Sequence, residues 1–95
     1  MLAVIAKLNV KEGKEAEVEA VMLELAAQVR ANEPGNELYT LVKDNEDGSY
    51  YVMELYTDQE AMDAHGQSEH FKAAGPKFGG LMGGPPEITR CTVIG

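Results

Sequence analysis

The chain has no tryptophan, one cysteine and only eight basic residues among its 95. Each shortage closes a class of function. A single thiol, Cys91, cannot form an intramolecular disulfide. Eight lysines and arginines against sixteen acids leave a net charge of −8. Nucleic-acid binding rests on neutralising phosphates with Lys and Arg, so no nucleic-acid partner is expected. Anionic membrane surfaces are disfavoured on the same ground. No apolar run approaches the ~20 residues that span a bilayer. The opening "MLAVIAKLNV" is too short and too interrupted for a secretory signal and lacks its basic start. Without a disulfide or a signal, the expectation is a cytoplasmic protein with no membrane partner.

What is present reads as one small α+β domain over residues 1–95. From Leu2 to Val10, Leu2, Val4, Ala6, Leu8 and Val10 alternate with Ala3, Ile5, Lys7 and Asn9, which is strand spacing. "KEG" at 11–13 turns the chain. Val18, Val21, Met22, Leu25, Ala26 and Val29 then recur at helical spacing and form one apolar stripe. "NEPG" at 32–35 stops that helix. Two β-rich runs, at about 37–44 and 49–56, flank the turn cluster "DNEDG" and predict a hairpin. "TDQE" at 57–60 fits a capping box with Thr57 as N-cap and Glu60 as its partner. The helix it opens should break near Gly66, with Ser68 capping a further short helical piece. Residues 75–86, with five glycines and three prolines, predict an irregular loop. Residues 87–94 predict the last strand. The order β-α-β-β-α-β is the ferredoxin-like arrangement around a four-stranded antiparallel sheet.

Two helices can cover only one face of such a sheet, yet both alternating sets of the strands are apolar. Tyr51, Met53 and Leu55 alternate with Tyr50, Val52, Glu54 and Tyr56, and both sets of the first strand are mostly apolar. A second apolar face needs cover, so a homodimer packed sheet to sheet is expected.

The stretch "EPGNELYTLVKD" and the later "AMDAHGQSEHFKAA" resemble the antibiotic biosynthesis monooxygenase (ABM) domain family. The matching residues are Glu33-Pro34-Gly35, Tyr39, Glu54, Ala61, Ala64-His65, Ser68 and His70-Phe71. The resemblance implies a dimeric α+β barrel with an apolar pocket between sheet and helices. It also implies a monooxygenase that oxidises a quinol-like or polyphenolic aromatic molecule with dioxygen and no cofactor. Tyr56 stands where the family usually has Trp. Haem-degrading relatives need three residues at positions that hold Gly75, His65 and Ala6 here, so that activity is excluded. A non-catalytic small-ligand-binding or stress-related dimer, and an isomerase on the same barrel, are the rival readings.

Candidate site residues follow. His65 is the candidate catalytic base, since its ordinary pKa lies near neutrality. Tyr39, Tyr51, Tyr56, His70 and Phe71 are the candidate substrate-binding groups for a small aromatic or hydrophobic ligand. The bland alternatives are that both histidines serve the helix joint and that the tyrosines pack across strands. No metal site is expected, because residues five apart lie about 140° around a continuous helix and three convergent ligands are needed. Cys91 has no histidine placed beside it by the sequence and is not a candidate nucleophile. "GGLMGGPP" precedes a strand rather than a helix, so it is read as a mobile flap or an arm across a dimer partner rather than a phosphate cradle.

Overall fold

A computed structural model describes all residues, 1–95. The elements are β1 (Leu2–Leu8), α1 (Glu15–Asn32), β2 (Asn36–Lys43), β3 (Tyr50–Tyr56), α2 (Gln59–Gln67), α3 (Glu69–Lys77) and β4 (Glu87–Thr92). The four strands form one antiparallel sheet in the order β2-β3-β1-β4. This is the ferredoxin-like βαββαβ layout, with its second helix split in two.

The register decides which residues share a face. Ala6 pairs Val52 and Ile88, and Val4 pairs Glu54 and Arg90. These residues point to the helix side of the sheet, Val4, Ala6 and Val52 buried there and Ile88 and Arg90 exposed at its edge. Val18, Met22, Leu25, Ala26 and Val29 of α1 pack with Ala6, Tyr39 and Val52 in a single core. Val18 and Val29 are fully buried, and each such side chain stabilises the fold by about 1.5–3 kcal/mol. Val21 lies half-buried at the margin of the stripe. Arg30, in the last turn of α1, donates from Nη2 to the Tyr39 carbonyl at 2.9 Å and ties the helix to β2.

Three local expectations need correction. Asp58, not Thr57, caps α2: its Oδ1 accepts from Ala61 N at 2.9 Å. Thr57 is still held by the strand end, where its N–H donates to the Gly35 carbonyl. Helix α3 continues through Gly75 and Pro76 to Lys77. Pro76 has no N–H to give the carbonyl four residues back, and the helix ends one residue later at Lys77. The final strand ends at Thr92, and only Val93 N–H follows the ladder, donating to Met1. The glycine-rich loop is tied to its own chain. Lys11 N–H donates to the Leu81 carbonyl and Gly83 N–H to the Asn9 carbonyl, and Val10 bridges Met82. The loop is laced to the chain just after β1.

The face away from the helices carries Ile5 and Met53 as direct partners, with Leu38 and Val42 on β2. All four are exposed large hydrophobics in the single chain. No helix is long and apolar enough to cross a membrane.

Candidate functional site: a cavity closed by His65

The joint between α2 and α3 sets the site. Ser68 ends one helix and caps the next. Its Oγ donates to the His65 carbonyl at 2.7 Å and accepts from Phe71 N at 3.3 Å. The change of direction resets the helical phase, so His65 and His70 converge instead of diverging by about 140°. Their meeting point is Glu33, just past the end of α1. Glu33 Oε2 lies 2.8 Å from His65 Nδ1 and 2.5 Å from His70 Nε2. A carboxylate only accepts, so both facing ring nitrogens carry the hydrogen. In the neutral ring this tautomer leaves the lone pair of His65 on Nε2.

His65 sits in an aromatic cage, its ring 4.8 Å from Phe71, 5.2 Å from Tyr39 and 5.6 Å from Tyr56. These four line one cavity of about 490 Å³ between the sheet and the two short helices. Val4, Ala6, Val52 and Ile88 form its floor, while Met82 and Pro86 of the laced loop form its side. The wall is mainly apolar, with Glu54, Arg90, His65 and two tyrosines as its polar groups. Such a size and mixture suit a small aromatic molecule.

Glu54 is 8% exposed. Burial pushes its carboxyl above the ordinary value, although the hydroxyl of Tyr56, donating to Oε1 at 2.5 Å, acts in the other direction. Burial, then the bond and charge of Glu54, drive the Tyr56 phenol upward. Tyr39 is raised by burial first and by the charges of Glu54 and Glu33 after it. Both phenols therefore stay protonated at physiological pH. The one hydroxyl hydrogen of Tyr56 is given to Glu54, which leaves the Tyr39 hydroxyl to donate into the cavity. Arg90 has no carboxylate within ion-pair distance, so its guanidinium is available to an anion in the cavity.

Of the six residues singled out in the sequence, the cavity gathers Tyr39, Tyr56, His65 and Phe71. Tyr51 is not among them. It projects from the opposite face of the sheet beside Lys7, whose Nζ lies 6.0 Å from its ring centroid. His70 lies behind His65, against Glu33, and reaches an outer groove rather than the cavity. The sequence reading gave no role to Glu33, Glu54 or Arg90. Glu54 had a signal, being the one acid in the inward set Tyr50, Val52, Glu54, Tyr56 of β3. Glu33 is 32 residues from His65, and nothing local links them.

The sequence profile described as antibiotic biosynthesis monooxygenase matches residues 1–77. Among solved structures, a Caulobacter crescentus protein provisionally named an antibiotic biosynthesis monooxygenase is 43% identical. The match covers 99% of this chain and 90% of that one, with a TM-score of 0.92. A Pseudomonas aeruginosa protein is 25% identical, with 99% and 94% covered and a TM-score of 0.88. A Mycobacterium tuberculosis protein, at 23% identity, 99% and 95% covered and a TM-score of 0.89, speaks for the fold alone. No curated protein matches.

Proposed function

Because this chain belongs to the antibiotic biosynthesis monooxygenase family, we propose that it is a monooxygenase that oxidises a quinol-like or polyphenolic molecule in the His65 cavity, using dioxygen and no cofactor. The observation that carries this reading is the placement of His65. Its Nδ1 is fixed by Glu33, and its remaining nitrogen is available to a molecule in an apolar cavity.

In the proposed reaction His65 takes a proton from a ring hydroxyl. Arg90 balances the anion that forms, and the Tyr39 hydroxyl orients it, while Tyr56, whose hydrogen is held by Glu54, packs as part of the wall. The anion is electron-rich and passes one electron to dioxygen. The radical pair closes to a peroxide on a ring carbon, and loss of water leaves a new carbonyl. For a hydroquinone the sum is quinol plus dioxygen giving hydroxyquinone plus water. One oxygen atom enters the product, the other leaves as water, and the substrate supplies all the electrons. The apolar walls keep bulk water from the reactive anion.

The open face of the sheet supports a companion reading: two copies associate through Ile5, Met53, Leu38 and Val42, which one chain leaves uncovered.

Isotopically labelled dioxygen tests the reaction. With a hydroquinone substrate and chelator-treated protein, the product is expected to carry one labelled atom. Unlabelled product formed by rearrangement would replace this reading with the isomerase.

A further inference from the structure

Glu33, His65 and His70 bring three ligand atoms of the types that hold transition metals within 4.8 Å of one another. We propose that these residues form a binding site for one divalent first-row cation of the zinc type, held by Glu33 and by His65 Nδ1 and His70 Nε2. Two imidazoles and a carboxylate with a fourth position open is a donor set that suits zinc or cobalt.

A second observation points the same way. The Glu33 side chain is 9% exposed, and its Oε1 is buried with no hydrogen-bond partner. A buried carboxylate oxygen without a donor is costly, and a cation meets that need. The N···O separations of 2.8 and 2.5 Å are hydrogen-bond lengths. Tetrahedral sites with bonds of about 2.0–2.1 Å hold their donors roughly 3.4 Å apart, so binding lengthens the two N···O separations by roughly 0.5–1 Å while the two ring nitrogens, within 4.8 Å of each other, settle at the same spacing. Glu33 can supply this by rotating Oε1 inward. An entry path exists, since Glu33 and His70 also line a surface groove of about 370 Å³ beside Gly35 and Ser68. The chain's net charge of −8 draws cations toward it.

The site has a consequence that rests on the proposed role of His65. A cation on Nδ1 takes that lone pair, so the ring's one proton moves to Nε2. The nitrogen left for the cavity then donates and no longer accepts. The loaded protein has no base, and zinc acts as an off-switch.

The test is equilibrium dialysis of the metal-free protein against Zn²⁺, with Co²⁺ titration followed by its visible ligand-field bands. The wild type is expected to take up about one equivalent and to give the intense spectrum of a tetrahedral nitrogen-oxygen site. His70→Gln and Glu33→Gln should each weaken binding by at least about 10–100-fold, the loss that even an outer-shell change causes. His70→Asn is a second check should either variant fold poorly, with far-UV circular dichroism as the fold control. No uptake by the wild type, or uptake unchanged in the folded variants, overturns the site. Oxygen consumption with and without Zn²⁺ separates the two readings. Binding that leaves turnover intact keeps the cation site and removes His65 as the base.

Discussion

Two residues in the cavity wall face opposite electrostatic demands. His65 is fixed by Glu33 through Nδ1. Glu54 lies on the same wall, and burial raises its carboxyl. A carboxyl whose folded pKa is raised binds its proton more tightly folded than unfolded. Its ionised form is therefore a liability. Below the ordinary carboxylate range Glu54 costs nothing. As pH rises from the unfolded value through the raised folded one, stability is lost. Glu54→Gln keeps an oxygen to accept from Tyr56 and removes the charge. It should raise Tm, more at pH 7 than at pH 4. Thermal melts at both pH values check this, and a lower Tm at pH 7 would mean that the charge is stabilised by Arg90 and His65. His65, Tyr39, Tyr56 and Phe71 could be picked from the sequence because their types suit a phenol-oxidising pocket. Tyr51 could not be separated from them by type. It is one residue out of phase on β3, and the period of two sends it to the other face. Arg90 was hidden in an unremarkable strand and becomes visible only through its pairing with Val4.

At the scale of elements, the site depends on two close approaches. Gly35 lets the start of β2 lie against α2. A Cβ there would stand 2.5 Å from Ala61 Cβ and 3.3 Å from Thr57 Oγ1. Gly35→Ala must push α2 away from Glu33 and should cost about 1–3 kcal/mol, the usual penalty of overpacking. Denaturant melts measure it, and Ala61→Gly in the same chain removes the closest clash and should recover part of the loss, less the roughly 1 kcal/mol cost of a helical glycine. An unaffected midpoint would show that α2 is free to move. The strands and α1 were legible because alternation and a helical stripe are strong local signals. The joint at Ser68 was legible through its cap. The helical run through Gly75 and Pro76 was not, because composition argued for a loop while packing of Ala74 in the core holds the helix together. The Asp58 cap was missed because Thr57 and Asp58 are adjacent, and the local pattern suits either.

For the whole molecule, the ferredoxin-like order followed from the alternation of elements, and the two-faced apolar sheet was visible in the same strands. The α1 side is packed, and the cavity lies on the same side over β1 and β4. The other side is left with Ile5 41% and Met53 41% exposed, directly paired across β1 and β3. If two copies meet there, Ile5→Lys with Met53→Lys places four charges in the shared face. Light scattering on a sizing column should then report a monomer where the wild type runs at twice the mass. Equal masses for the two proteins would remove the sheet-to-sheet dimer. The measurement that bears most directly on the whole account is dioxygen consumption with a hydroquinone, comparing wild type and His65→Ala under chelation. Uptake well above autoxidation in the wild type, and a fall of about 10²–10⁴-fold in the variant, is the expected result for a lost general base. Equal uptake by the two proteins would contradict it and take His65 out of the chemistry.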